Sequence, residues 1–366
     1  MKFDKPITFN TNPITSSRKL RRTGRNLFFS LGVPVVFTLI AIILSSISGN
    51  PLFKSGDDIG TVKNIMVFIK TMVLTLVAAL ALNTNLNSGR MDFALGATGI
   101  LGATLASQFV SGIDTIGNIF SFLFLTMIFS ALLGLIHGII FIILRLPPIV
   151  TSLGMCLVFE GIARVIAGSK GQINLASSQI TSNFFLEPII IIPILIIIMI
   201  VMSWAFCYTK FGYDKLALVY DQKISVDTGI KEVKNCIVCY IMAGALIGLY
   251  QVIDLTGQSM IQIKTDLGSS STVFKNFLPI FIGGIIAVYS NQIVGLTLAI
   301  FSTTMLTTGM DAATSIGFTA DIQSLITGFS VFAVLVYKVD KYKFINWVKK
   351  QAYLRKLKRL GLEEEK

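Results

Sequence analysis

Charge is what this sequence has least of. Asp, Glu, Lys and Arg make up 14% of its 366 residues, against about 25% in an ordinary soluble domain. A chain so poor in charge cannot clothe a solvated surface, which excludes a water-soluble globular protein. Histidine occurs once, as His137, and cysteine four times, as Cys156, Cys207, Cys236 and Cys239. Cys236 and Cys239 form a single C-x-x-C with no second pair to complete a tetrahedral site, so they read as structural residues rather than zinc ligands. No G-x-x-x-x-G-K-[ST] loop, Rossmann fingerprint or nucleophile motif occurs. The chain is therefore read as a non-enzyme that needs no cofactor and hydrolyses no ATP itself. A long basic lead precedes the first apolar run and no small-residue cleavage site follows it, so the N-terminus does not read as a cleavable signal peptide.

What the sequence has instead is apolar length: 53% hydrophobic residues and a mean hydropathy of +0.76. Runs of about 20 apolar residues recur, each long enough to cross a bilayer as a helix. They are continuous rather than alternating, which selects helices over a barrel. The fold class is thus all-α, a polytopic membrane protein with about ten transmembrane helices. The expected spans are 27–48, 62–83, 91–110, 118–144, 147–168, 187–208, 235–256, 273–289, 293–309 and 321–338. Spans eight and nine, separated only by Ser290-Asn291-Gln292, are either two full spans or a re-entrant pair. The organisation is a basic segment 1–26, a membrane domain 27–338 and a basic tail 339–366.

The net charge of +12 suggests nucleic acid until its distribution is followed. With a cytosolic N-terminus and ten spans, 24 of the 31 Lys and Arg residues fall on the cytosolic side, in the lead, at Arg90 and Arg145, in 209–234 and from Lys338 onward. That asymmetry obeys the positive-inside rule. It predicts a multi-pass protein of the cell membrane with both termini cytosolic, and it leaves no role for nucleic acid. The tail 341–366 is basic with apolar residues at helical spacing, which suits a juxtamembrane helix held by anionic membrane lipid.

The segment 209–234 packs nine charges into 26 residues between two highly apolar spans. It is too long for a turn and reads as a cytosolic docking element. Ionisable residues within spans mark a pathway or a partner: Lys70, Asp92 and Glu160 stand there. Glu160 and Arg164 are spaced i, i+4 and are expected to neutralise one another. His137 reads as a buried polar residue, and Asp254 as one that reaches the headgroups. Gly96, Gly99, Gly102 and the alanines between them allow close approach or a broken helix in span three, as Gly283 and Gly284 do in span eight. The strings ILGATLA (100–106) and IVGLTLA (293–299) hint at duplication.

Five stretches, in order, resemble the membrane permease subunits of sugar-type ABC importers, the ribose and galactose branch. SGRMDFALGATGILGATLA (88–106) is similar to the family's G-I-D-L-S-V-G-S segment, with Asp92, Phe93 and Gly96 in register. LRLPPIVTSLGM (144–155) is close to L-P-P-F-I-A-T-L-G. FGYDKLALVYDQKISVDTGIK (211–231) resembles F-G-R-x-L-Y-A-V-G-G-N-x-x-A-A-R-x-S-G-I-N, and PIFIGGIIAVYSNQIVG (279–295) resembles V-V-L-G-G-T-S-L-A-G-G-R-G-S-V-L-G. The last span before a basic tail is the fifth. Departures are Arg90 for Gly, Ala94 for Ser, Val219-Tyr220-Asp221 for Gly-Gly-Asn, and Tyr289-Ser290-Asn291-Gln292 for Gly-Gly-Arg-Gly.

The resemblance implies an importer permease fold and ATP-driven uptake of a sugar or similar polar small molecule. Its implied partners are a cytosolic ABC ATPase subunit, an extracytoplasmic substrate-binding protein and a second permease copy or homologous permease, forming a dimer. The coupling helix falls around Tyr220–Gly229, with Tyr220, Asp221, Ser225, Asp227, Thr228, Gly229 and Ile230 as the ATPase-coupling residues. Asp227 or Ser225 is expected to act as its N-cap or as a polar contact. The translocation path is assigned to Lys70, Asp92, Phe93, Gly96, Glu160, Gly283 and Gly284. A nucleoside importer permease is the close alternative, and an ion-coupled secondary transporter the more distant one.

Overall fold

The computed structural model describes residues 14–53, 58–86, 90–110, 113, 115–168, 170–175, 184–255 and 260–336. The basic tail 339–366 and the first 13 residues of the basic lead lie outside them. Every expected span contains helix among the described residues. Among the described residues, seven helices are long and apolar enough to cross a membrane. They are α1 (Ile14–Ser48), α2 (Asp58–Leu86), α4 (Ile116–Leu144), α5 (Pro148–Ala167), α6 (Pro188–Cys207), α9 (Glu232–Leu255) and α12 (Gln292–Ala312). Large apolar side chains of α1, α4 and α6, among them Ile43, Phe124 and Ile200, are exposed on their outward faces. Lipid covers such residues without cost, so an inside-out pattern is what a bilayer permits.

Two of the other three expected spans are shorter than the sequence suggested. α3 (Leu95–Ala106) is 12 residues, about 18 Å at 1.5 Å per residue, far short of a hydrocarbon core of about 30 Å. Eleven of its 12 residues are buried, so it is a half-helix enclosed by protein. Segment 268–287 is likewise broken, into a 3₁₀ turn (Gly268–Ser270), α10 (Ser271–Lys275) and α11 (Phe277–Ala287). α11 therefore forms with α12 a hairpin of one short and one full-length arm. The last helix, α13, is Ala320–Val336.

Small residues explain the enclosure. A Cβ at Gly96 would collide with the Ser269 carbonyl oxygen, and one at Gly102 with the Ser130 hydroxyl. α4 and α9 cross through a reciprocal pair, with Gly134 receiving the Tyr240 backbone and Gly244 the Ser130 backbone. In lipid there is little hydrophobic drive between helices, so such close packing supplies much of their association.

Two connections leave the bundle at opposite faces. On one, β1 (Gln172–Asn174) and β2 (Met260–Gln262) pair antiparallel, Ile173 opposite Ile261, and tie the chain after α5 to the chain after α9. The other face carries α7 (Lys210–Tyr220) and α8 (Gln222–Asp227), a folded loop between α6 and α9.

Candidate functional site

The buried polar centre lies around the start of α3. Asp92, 3% exposed, accepts from the Asn85 side chain at 3.0 Å and from the Ala94 backbone N–H at 2.9 Å. Its carboxylate thus meets the first free amides of the half-helix, where the dipole favours negative charge. His137 Nδ1 lies 3.6 Å from Asp92 Oδ1, and its ring rests 4.7 Å from that of Tyr240. The single histidine is buried, as its sequence context suggested, and its role is to partner a carboxylate.

Glu160 does the same for the second broken element. Its Oε2 accepts from Leu267 N–H at 2.9 Å, and its Oε1 from Ser269 N–H at 2.8 Å and Ser269 Oγ at 2.5 Å. Asp266 and Leu267 both adopt left-handed backbone angles, φ 57° and 64°, a costly conformation outside glycine that the three donated bonds hold in place. The expected Glu160–Arg164 pairing is corrected accordingly: what satisfies Glu160 comes from 107 and 109 residues along the chain, while the Arg164 guanidinium lies against Gly171. Cys156 Sγ, 3.3 Å from Ser269 Oγ, closes the cluster. Because Gly96 abuts Ser269, Asp92, Gly96 and Glu160 form one continuous buried belt.

The remaining path assignments fall elsewhere. Phe93 packs on Phe274, ring centroids 5.3 Å apart, beside the belt. Lys70 faces Asp254 electrostatically, with Lys264 and Lys275 also acting on that carboxylate. Gly283 seats against Leu296 of α12, and Gly284 opens on a cavity at the face bearing α7. No sequence signal marks Asn85 or Ser269 as carboxylate partners, because neither belongs to a motif and both act through folding.

On the loop face, Thr209 caps α7 by accepting from Gly212 N–H. Tyr220 ends α7, and Asp221 caps α8, its Oδ1 accepting from Ile224 N–H at 3.0 Å. The cap expected at Ser225 or Asp227 is thus corrected to Asp221. Ser225 is interior to α8, its hydroxyl donating to the Asp221 carbonyl at 2.7 Å, and Asp227 is its last residue. Beyond it, Gly229 N–H donates to the Val226 carbonyl at 2.9 Å and Ile230 N–H to the Ser225 carbonyl at 3.1 Å. With Gly229 at φ +92°, these bonds make a Schellman motif. Thr228 adds a hydroxyl bond to the Ser225 carbonyl. The result is a single helical turn pinned at both ends, presenting Ile224 at 62% exposure and Val226 at 44%.

A carboxylate joins this turn to the buried belt. Glu232 Oε1, at the start of α9, accepts from Gln222 Nε2 at 2.7 Å and from Arg90 Nη2 at 3.2 Å. Arg90 stands two residues before Asp92, and its own N–H donates to the Asn85 carbonyl at 3.1 Å.

Among the described residues no group of three or more His, Cys, Asp or Glu side chains is placed to hold a metal. The architecture is that of a multi-pass helical transport protein: a bundle with two broken half-helices inside it and a rigid amphipathic turn outside it. Residues 64–335 match the family described as the permease component of the branched-chain amino acid transport system, and the chain belongs to that family. It is also 22% identical, over 328 residues, to the nucleoside ABC transporter permease protein NupB of Lactococcus lactis subsp. cremoris (strain MG1363), a match covering 82% of this chain and 88% of the relative. No solved structure gives a significant match.

Proposed function

We propose that this chain is the membrane subunit of an ATP-driven importer that carries a sugar, a nucleoside or a similar polar small molecule. A separate cytosolic ATPase docks on 209–234, an extracytoplasmic binding protein delivers the solute, and a second permease subunit completes the path. In this reading both termini and the α7–α8 face are cytosolic.

The observation that carries the proposal is α8. An exposed, doubly capped turn with two bare apolar side chains has no reason to be held rigid unless a partner presses on it. Its tie through Glu232 to Arg90 offers a route from that contact to the belt at Asp92, Gly96 and Glu160. Tyr220, Asp221, Ser225, Asp227, Thr228, Gly229 and Ile230 shape the contact. Asp92, Phe93, Gly96, Glu160, Gly283, Gly284 and Lys70 are assigned to the moving path. ATP binding then shifts the population between two arrangements of the bundle, and the permease contributes differential contacts, not chemistry. Both solute classes carry hydroxyl-rich rings, and likeness to a nucleoside permease keeps the nucleoside reading beside the sugar one.

The test is reconstitution with the ATPase and binding protein encoded alongside. Uptake requiring all three and ATP is expected, with Asp227→Ala and Gly229→Ala lowering solute-stimulated ATP hydrolysis while the bundle stays folded. Uptake by this chain alone under an ion gradient, without ATP, would overturn the proposal.

A further inference from the structure

At the α7–α8 face, where α2 and α6 end, a half-open cavity of about 740 Å³ cuts into the bundle. Its walls are apolar: Leu86, Phe206, Leu216, Ile280, Phe281 and Leu296. Into it points Lys215, 4% exposed. The ammonium donates to the Asn83 carbonyl at 3.3 Å and lies 3.9 Å above the Phe206 ring. No carboxylate comes within 4.0 Å of it among the described residues. A buried ammonium carries three donors, and one acceptor plus a ring face leaves it under-compensated for the water it has lost.

The shape of the gap says what would compensate it. The cavity is far larger than an ordered water needs, about 30 Å³, and falls in the range of ligand sites. Its polar groups, Asn83, Lys215 and Gln292, are outnumbered by apolar wall. From Ala287 at the mouth to Ile280, seven residues of α11 descend about 10 Å. A peptide inserted that far would bury backbone groups with few acceptors or donors to meet them. A molecule with one anionic end and a hydrocarbon body meets both halves of the site.

We propose that this cavity binds one anionic phospholipid, its phosphate on the Lys215 ammonium and its acyl chain against Phe206, Phe281 and Leu296. The bound lipid joins α7 to the α11–α12 hairpin, so lipid composition sets how firmly the loop is seated. Burial pushes the Lys215 pKa down to about 8, which leaves the ammonium mostly protonated at neutral pH.

The full-length chain, purified in mild detergent, is titrated with phosphatidylglycerol or with diacylglycerol of the same acyl chains, which lacks the phosphate, and retained lipid is read by native mass spectrometry. One phosphatidylglycerol is expected, held about tenfold or more tightly than diacylglycerol, the ratio for one charge-assisted contact. Lys215→Met loses that preference and Lys215→Arg keeps it. Gly284→Leu, which fills the cavity from the opposite wall, loses the lipid with the ammonium in place. Equal retention of both lipids by the wild type, or phosphatidylglycerol unaffected by Lys215→Met, overturns the site. Displacement by inorganic phosphate overturns the lipid as occupant in favour of a soluble anion. The headgroup comparison needs no variant, so a variant that misfolds leaves the test intact. The readout involves neither ATPase nor solute, so it stands or falls separately from the importer proposal.

Discussion

Gly229 is the residue on which the docking turn depends, and its replacement can be followed quantitatively. At φ +92°, with no heavy atom within 4 Å of a built Cβ, Gly229→Ala meets no clash. The whole cost is conformational, about 1–2 kcal/mol for a side chain in the left-handed region. α8 has six residues and no core of its own, so that cost falls on local opening. An increase in the open population of about 5–30-fold follows. Hydrogen exchange at Ser225, Thr228, residue 229 and Ile230 accelerates by that factor, because their amides close the α8 turn and its C-cap. The amides of α9 within the bundle are unaffected. Gly284→Ala is the control: it too faces open space, at an ordinary backbone angle, and leaves α8 exchange unchanged. In the reconstituted transporter, solute-stimulated ATP hydrolysis drops while basal hydrolysis persists. Unchanged exchange across 225–230 in Gly229→Ala would refute the argument that the Schellman cap holds the turn.

Three further outcomes follow from the site. Glu160→Gln preserves shape but sets an amide NH₂ against donors, costing about 2–3 kcal/mol from lost charge-assisted bonds; a wild-type melting temperature in detergent counts against the Glu160 clamp. Arg90→Ala, Glu232→Ala and the double variant form a cycle whose coupling is about 0.5–1 kcal/mol, kept small because Glu232 is one-third exposed; zero coupling removes the link between α8 and the belt. Lys215 has a folded pKa near 8, lowered from 10.5 by burial, with Cys239 of α9 the titratable group acting on it and Asn83 and Phe206 its uncharged neighbours. Between those values the unfolded chain binds more protons, so stability rises with pH across that window. Denaturation curves of Lys215→Met lack the rise; an identical slope in both proteins contradicts the burial argument.

What the sequence made legible was whatever depends on neighbours along the chain. Apolar runs located the helices of the ten expected spans, and charge marked the loop between Thr209 and Lys234 as a separate element. Glycine in span three announced close packing there. Composition does not announce where a helix stops when its ends are sheltered by protein. Met91–Ala94 adjoin the apolar run that suggested a helix from residue 91, yet Asp92 takes the Ala94 backbone N–H and α3 begins only at Leu95. The carboxylate partners were illegible for a related reason: i, i+4 spacing pointed Glu160 to Arg164, whereas its donors at Leu267 and Ser269 arrive through tertiary folding. The two three-residue strands are too short for any periodicity to register, and 209–234 holds several Asp, Ser and Thr residues able to cap a short helix, so only the fold selects Asp221.

α3 also constrains how the protein is made. Twelve residues, enclosed on every side, cannot rest in a bilayer alone, since their end amides and carbonyls would face hydrocarbon. The protein that encloses them includes α9 and the Ser269 turn, translated about 150 residues later. At about 5–20 residues per second, the α3 segment waits on the order of ten seconds or more for its surroundings. During that interval it must stay at the membrane surface or inside the insertion machinery, and it enters the bundle only when α4 and α9 cross. The bundle is therefore assembled out of chain order, with one of its earliest segments among the last to be seated.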